Sequence, residues 1–272
     1  TAGYSYPVRD TKGREIAQVP FGNRKDIRNA VEAAHKAEGW SGMTGHGRAQ
    51  VLYFLAENLE ARADDFVRRL VQTGATPTAA KREVIASVNR IIHYAAWADK
   101  YDGAVRGPAP RMLTLTLHEP FDVMGLSCPD ETPLLGFVSL VLPAIAMGNR
   151  VVATPSPANP LPALDLVQVL ETSDVPGGVI NIITGDRDSL ADTLAKHDDV
   201  ACHWYFGSGD GSAKVEAASV GNLKSTWVNH GLARDWHDPS QGQGEEFLFH
   251  AVRIKTIWTP FGVTPGASGG SY

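Results

Sequence analysis

Apolar residues recur every three or four positions through the first hundred residues, which is the pattern of amphipathic helices packed on one face. Ser, Asn, Asp and Pro at the start of such stretches favour helix initiation. The expected elements are a helix that begins at Asn23 or Asp26 and runs towards Glu38, a Gly-rich loop over 39–47, a second helix over 48–71, and a third from Pro77 to about Asp102.

From residue 111 the period of the pattern changes to two. Residues 111–119 alternate leucine with threonine and histidine, which predicts a strand. Short apolar runs then alternate with helical stretches, and Gly, Pro or Asn residues bound them. The expected strands lie at 123–126, 151–153, 179–183, 202–206 and 226–228, with helices between them at 134–147, 161–170, 189–196 and 212–219.

Strands that alternate with helices indicate βαβ units, whose right-handed crossovers produce a parallel sheet covered on both faces. The predicted fold class is therefore α/β, with a doubly wound, mostly parallel, Rossmann-like sheet and N-terminal helices. Beyond Gly231 the alternation stops in a polar stretch at 235–246, and one further strand at 247–258 has no helix after it.

Charge and composition exclude several classes of protein. The net charge of −5 gives no general attraction to nucleic acid or to anionic membranes. The longest apolar run, at 134–147, is broken by Gly136 and Pro143 and is too short to span a bilayer. Cys128 and Cys202 form no C-x-x-C pair, which is typical of a reducing compartment. We expect a soluble, cytoplasmic protein.

Residues 134–184 contain the runs Leu142-Pro143-Ala144, Gly148-Asn149-Arg150-Val151-Val152 and Val175-Pro176-Gly177-Gly178-Val179-Ile180-Asn181. With these runs the chain resembles the aldehyde dehydrogenase superfamily. The similarity extends over about 6–231 and the final strand. The resemblance implies an NAD-type Rossmann domain and an oligomerisation flap that includes the strand at 111–119. In active members it also implies a separate catalytic domain that carries the nucleophilic thiol.

Several positions depart from the family's pattern. Where the family holds the adenosine ribose with a lysine followed by Pro-Ser-Glu, this chain has Thr154-Pro155-Ser156-Pro157, so the cation and the carboxylate are both lost. The family's Trp-Asn pair, whose amide helps to form the oxyanion hole, aligns with Asp130 and Glu131. A carboxylate there would repel a developing oxyanion. Alternatively, these two residues simply form a solvated loop.

The family's catalytic base and nucleophile are also missing from their expected places. The base glutamate falls near Asn229, in the run Val228-Asn229-His230-Gly231, and an amide cannot accept a proton usefully. Only a short linker follows, so the thiol-bearing domain has no place before the last strand. By this alignment neither Cys128 nor Cys202 takes the position of the family's thiol, and buried structural cysteines are the simpler reading.

The run Gly207-Ser208-Gly209-Asp210-Gly211 follows a strand and opens a helix, as a phosphate-binding loop would. Its spacing misses G-x-G-x-x-G, and Asp210 adds negative charge. A tight strand-to-helix turn and a residual nucleotide site are both left open. The histidines, among them His203, His230 and His237, lack metal-ligand spacing and are assigned structural roles, as are Trp204, Tyr205 and Trp227.

These observations predict a non-catalytic, aldehyde dehydrogenase-like pseudo-domain with a structural and oligomerising role. It resembles the truncated C-terminal domain of aldehyde dehydrogenase family 16. We expect no catalytic, cofactor-binding or metal-binding residue in this chain and no cofactor of its own, with NAD bound at another domain of a larger enzyme. The alternative is a sensor that retains weak NAD or adenylate binding.

The predicted organisation follows the resemblance. A Rossmann-like domain should span 1–231, interrupted by a flap strand at 108–119. A linker at 232–246 should stand in place of the catalytic domain, before a second flap strand at 247–260 and a flexible tail at 261–272. The expected partner is a catalytic aldehyde dehydrogenase domain, in cis or in another subunit, reached through the flap strands in a homo-oligomer. Neither nucleic acid nor a membrane is expected as a partner.

Overall fold

The computed structural model describes residues 3–107 and 112–260, and it opens with a hairpin that the apolar periodicity did not indicate. The hairpin pairs β1 (Ser5–Arg9) with β2 (Glu15–Pro20). Five helices follow: α1 (Arg24–Lys36), α2 (Gly39–Gly42), α3 (Gly45–Ala61), α4 (Ala63–Gln72) and α5 (Pro77–Trp97). Asn23 is the cap of α1, and it exchanges hydrogen bonds with the first turn of the helix in a capping box with Asp26.

Three helical expectations need correction. The single helix predicted over 48–71 is two helices, because Arg62 has φ −106° and ψ 14° and interrupts the helical geometry between α3 and α4. The loop predicted at 39–47 contains α2, and α5 ends at Trp97 instead of Asp102. Leu59 and Phe66 are both buried, so the apolar period continues across the break and conceals it.

The second half of the chain forms the predicted parallel sheet. After the antiparallel pair β3 (Ala104–Arg106) and β4 (Met112–Pro120), the remaining elements to residue 228 are β5 (Val123–Ser127), α6 (Pro133–Ala146), β6 (Arg150–Thr154), α7 (Leu161–Glu171), β7 (Ile180–Ile182), α8 (Arg187–Lys196), β8 (Cys202–Tyr205), α9 (Gly209–Ser219) and β9 (Ser225–Val228). The sheet order is β7-β6-β5-β8-β9, and every neighbouring pair is parallel. The doubly wound α/β fold is confirmed.

Helices cover both faces of this sheet. Val123 and Val152 face α1 and α8 and pack with Ile27 and Leu190 in one apolar cluster. Met124 and Leu126 belong to the larger cluster on the opposite face, which includes α6 and the N-terminal helices α3 and α5. The sheet is therefore buried on both sides by the chain's own helices, as a parallel sheet requires.

The last described part of the chain differs from its prediction. The polar stretch before residue 247 contains the short helix α10 (Pro239–Gly242) and a buried Trp236. The strand predicted at 247–260 starts only at Val252, since α11 (Glu245–His250) precedes β10 (Val252–Pro260). Phe247 and Leu248 are fully buried in the main core, and a helical turn is what places both there.

β10 pairs along its whole length with β4, antiparallel, so the small sheet has the order β10-β4-β3. We call this sheet the flap. Of the flap strand predicted at 108–119, residues 112–119 belong to β4, and residues 108–111 lie outside the described residues. The tail predicted at 261–272 also lies outside them. The division of the chain into domains stays a prediction.

Candidate functional site

A cavity of about 410 Å³ opens at the carboxyl ends of β5, β8 and β9. In open α/β sheets, ligands bind at this edge, where the strands end and helices begin. The cavity is lined by residues from the ends of the strands and from the start of α8, namely Asp130, Glu131, Pro157, Asp186, Arg187, Asp188, Tyr205, Phe206, Gly207, Ser208, Asn229, Gly231 and Ala233.

Arg187, which the sequence reading missed, organises one wall of the cavity. Its guanidinium donates to the carbonyl oxygens of Cys128 and Phe206, each at 3.1 Å, and forms an ion pair with Asp130. Asp130 also accepts a hydrogen bond from Ser156 Oγ at 2.7 Å. Asp130, although its side chain is 47% exposed, is thus connected to the loop after β6 and to the first turn of α8. The signal that could have found Arg187 is its place at the first turn of a helix that follows a strand.

The Gly-rich run forms a tight strand-to-helix turn, which is one of the two readings left open. Ser208 caps α9 by accepting from the backbone N–H of Gly211 at 3.0 Å. The hydroxyl of Tyr205 accepts from the N–H of Ser208 at 3.2 Å and donates to Asp188 Oδ1 at 2.5 Å. A Cβ at Gly211 would lie 1.9 Å from that hydroxyl oxygen. The tyrosine therefore fills the turn where a phosphate group would otherwise approach.

Asn229, which the resemblance aligns with the family's base, holds two loops together. Its Oδ1 accepts from the N–H groups of Gly207 at 3.1 Å and Gly231 at 3.3 Å, and its Nδ2 donates to the carbonyl of Leu232 at 3.1 Å. A neutral amide with these contacts cannot take up a proton. Its observed role is to hold the end of β9 against the turn after β8.

The residues that the resemblance aligns with the family's ribose-binding positions provide no free polar group at the cavity. Thr154 is fully buried, and its hydroxyl has no hydrogen-bond partner in the described part of the chain. The hydroxyl of Ser156 donates its hydrogen bond to Asp130, and Pro157 contributes only an apolar surface to the cavity wall. None of these three side chains carries a charge.

Both cysteines are buried free thiols. Burial raises the pKa of Cys128 to about 12, and the same cause raises the pKa of Cys202 to about 12. Nucleophilic attack needs the thiolate, which is scarce at neutral pH when the pKa is this high. The expectation that neither cysteine serves as the family's nucleophile agrees with their burial.

His203 lies inside the sheet and bonds Ser127 Oγ through Nε2 at 3.1 Å. Burial lowers its pKa to about 3, so the imidazole is neutral. Within residues 3–107 and 112–260, no group of three or more His, Cys, Asp or Glu side chains is arranged to hold a metal ion.

Beside the cavity, the segment 232–251 is fastened to the core by two arginines. Arg234 lies 5.2 Å from the ring of Trp227, with the rings of Phe206 and Phe247 nearby, and pairs with Glu246 at 3.0 Å. The buried Arg90 of α5 donates to further acceptors of this segment. They are Trp236 O at 2.8 Å, Gln243 Oε1 at 3.0 Å and Gly242 O.

A model of the aldehyde dehydrogenase family matches residues 5–232, most of the described chain. The chain belongs to the aldehyde dehydrogenase family. Its match ends where the segment fastened by Arg90 and Arg234 begins. The aldehyde dehydrogenase of Agaricus bisporus is 34% identical over 82% of this chain and 46% of its own length. The betaine aldehyde dehydrogenase of Bacillus subtilis is 31% identical over 77% of this chain and 44% of its own length.

Solved structures of aldehyde dehydrogenases share the fold. PnpE from Pseudomonas sp. WBC-3 superposes with a TM-score of 0.80 at 26% identity and covers 84% of this chain and 47% of its own, and it has also been solved with nicotinamide adenine dinucleotide. Staphylococcus aureus betaine aldehyde dehydrogenase gives 0.78 at 23% identity, which shows the fold alone. This chain spans about half the length of the aldehyde dehydrogenases it matches.

None of the helices formed by the described residues is long and apolar enough to cross a bilayer.

Proposed function

We propose that this chain is a non-catalytic domain of a larger, NAD-dependent aldehyde dehydrogenase, of the kind found at the C-terminus of aldehyde dehydrogenase family 16. The observation that carries the proposal is the set of internal contacts at the family's reactive positions. Asn229 is committed to Gly207 and Gly231, and Asp130 is committed to Arg187 and Ser156. These side chains hold the loops together and leave no base and no oxyanion donor in their place.

The role of such a domain is structural. β10 has one edge without a strand partner among the described residues, and its side chains are exposed from Arg253 onwards. An exposed edge pairs readily with a strand of another chain. A catalytic aldehyde dehydrogenase domain, in cis or in another subunit, is the partner, in a cytoplasmic homo-oligomer.

A second candidate function is a sensor that binds NAD or an adenylate weakly without turnover. The strand-to-helix turn at Ser208 and the cavity beside it favour this candidate, and PnpE was solved with NAD. The phenol of Tyr205 opposes it, because the hydroxyl occupies the N–H of Ser208. On balance the structural role is better supported.

Calorimetric titration of the chain with NAD, an aldehyde oxidation assay and light scattering on the same sample test the proposal. We expect no heat with NAD, no NADH and a mass above that of one chain. Turnover of an aldehyde would falsify the non-catalytic role. Micromolar NAD binding without turnover would favour the sensor, and a monomer at high concentration would count against the oligomerising role.

A further inference from the structure

A second cleft, of about 630 Å³, lies between the first turns of α1 and the last turns of α8. It is lined by Arg24, Lys25, Arg28, Asp192, Thr193, Lys196 and His197. The cleft and the cavity at the carboxyl edge of the sheet share no lining residue, and their nearest lining residues on α8, Asp192 and Asp188, lie about 6 Å apart along the helix axis.

Positively charged side chains outnumber negatively charged ones in this cleft. Four lining side chains are cationic and only Asp192 is anionic, although the whole chain has a net charge of −5. Asp192 is paired with Lys196 at 2.7 Å, and Arg28 lies 3.6 Å from Glu32 at the exposed surface of α1. Arg24 and Lys25 have no ion-pair partner among the described residues. Two cations are thus free to bind a ligand.

Arg24 and Lys25 stand where local electrostatics oppose them. They occupy the first two positions of α1, after the cap Asn23, and the N-terminus of a helix carries partial positive charge that favours acidic residues. Neither side chain stabilises the helix from this position. A bound anion would remove the repulsion, since it would neutralise the two cations and the helix end together.

The side chains, and not the helix backbone, would make the contacts. The capping box already uses the first N–H groups of α1, because Asn23 Oδ1 accepts from Lys25 N at 2.8 Å and Asp26 accepts from Asn23 N at 3.0 Å. Flexible lysine and arginine side chains around a concave space suit several phosphate groups at once. A flat bilayer would reach only the rim of the cleft.

The geometry points to a binding site for a soluble, multiply phosphorylated anion in the cleft between α1 and α8. A volume of about 630 Å³ is in the range of small-molecule sites. Arg24 and Lys25 hold the phosphates in this site, and Arg28 and Lys196, which already pair with Glu32 and Asp192, lie beside them. The site is independent of the proposed structural role and of NAD.

Inorganic tripolyphosphate is the probe, titrated calorimetrically into the whole chain at about 0.1 M salt, where charges more than about 10 Å apart are screened. The test variant is Arg24→Glu/Lys25→Glu. The matched control is Lys81→Glu/Arg82→Glu, which reverses an adjacent exposed pair on α5 and changes the net charge equally. We expect the test variant to weaken binding at least tenfold and the control to weaken it less than twofold.

Unfolding is not expected to confuse the result, since acidic residues in the first turn favour a helix and the test variant should melt no lower than the parent chain. If both variants weaken tripolyphosphate binding equally, the effect comes from the net charge of the chain, and the proposed site is wrong. An absence of binding at millimolar probe would also overturn the site, as would binding to vesicles with anionic phospholipid but not to soluble tripolyphosphate. Equal displacement of the probe by NAD from the parent chain and from Arg24→Glu/Lys25→Glu would place the anion in the other cavity and overturn it too.

Discussion

The central sheet and the flap differ in how much of their surface the described chain buries. Every residue of β5, β6 and β8 is buried, whereas in β10 only Val252 is buried and the next eight residues are exposed. Helices of the same chain cover both faces of the central sheet, whereas in residues 3–107 and 112–260 nothing buries β10 beyond Val252. The central sheet is therefore stabilised from within, and the flap is the part for which we propose a partner.

The flap carries apolar side chains on both faces. Ile257 stands opposite Leu115, and Ile254 and Trp258 alternate with it along β10 on the other face. Ile254 and Trp258 are 50% and 54% exposed. Apolar area of this kind is typical of a protein interface. Four predictions test this contrast between the buried central sheet and the exposed flap. They are given in order of the expected effect on the free energy of unfolding, from the largest to the smallest.

The core should be most sensitive at Arg90, which lies in α5 and is 3% exposed. Arg90→Met keeps much of the volume but leaves the carbonyls of Trp236 and Gly242 without their donor. We expect a loss of about 3 kcal/mol in the free energy of unfolding, measured with urea, because unsatisfied buried acceptors are costly. The control is Arg82→Met on the exposed side of the same helix. A loss below about 1 kcal/mol would show that segment 232–251 does not depend on Arg90.

The central sheet should also lose stability in acid because of His203. Burial lowers its folded pKa from 6.5 to about 3, so the unfolded chain takes up the proton first as the pH falls below 6.5. The contribution of the neutral imidazole to the free energy of unfolding is fully present above pH 6.5 and is lost progressively as the pH falls towards 3. At pH 5 the loss is about 2 kcal/mol.

Urea unfolding of the parent chain and of His203→Gln, at pH 7.5 and pH 5, checks this. The variant should show a smaller difference between the two pH values than the parent. Equal differences would mean that other groups, and not His203, cause the acid sensitivity.

At the carboxyl edge, Asn229→Ala should cost about 1 kcal/mol, because it removes the acceptor for the N–H of Gly207 and of Gly231. Asn229→Asp keeps an acceptor for both groups and serves as the control. Thermal unfolding measures both variants. A neutral result for Asn229→Ala would mean that Asn229 does not hold the two loops together. Aldehyde oxidation by Asn229→Glu, which restores a carboxylate where the resemblance places the family's base, would contradict the expectation that the nucleophile is missing as well.

A substitution in the flap should change the oligomeric state of the protein but hardly change its free energy of unfolding. Trp258→Lys is expected to change the unfolding free energy of the isolated chain by less than about 0.5 kcal/mol, because the residue is exposed. Light scattering should show its mass falling towards that of one chain. Ile85→Lys on α5, where the side chain is 51% exposed, is the control and should leave the mass unchanged. If both or neither dissociate the oligomer, the flap is not the interface.

Much of the fold could be read from the chain, and the failures have identifiable causes. The alternation of strands and helices between residues 123 and 228 predicted all five strands of the central sheet, because buried parallel strands are continuous apolar runs. The hairpin β1–β2 was missed, since its burial is confined mostly to Val8 and Val19 and its periodicity is weak. The first turn of α9 was placed too late, because Gly209 and Gly211 read as loop residues.

At the candidate site, the sequence named residues but not their contacts. It placed Asn229 and Asp130 at the family's reactive positions, and both lie at the cavity. It could not show that Arg187 joins Asp130 to two strand ends, nor that Tyr205 fills the turn at Ser208. Those contacts join residues from different loops.

The sequence by itself determined the α/β class and the parallel sheet, and it predicted departures from the family's catalytic residues. These follow from local properties: the period of the apolar positions and the chemistry of each side chain. Only the tertiary structure decided that the segment after Gly231 is held against the core and that no described residue pairs with the outer edge of β10. Such properties depend on which residues meet across long stretches of chain, and the free energy of those contacts is not visible in any local pattern.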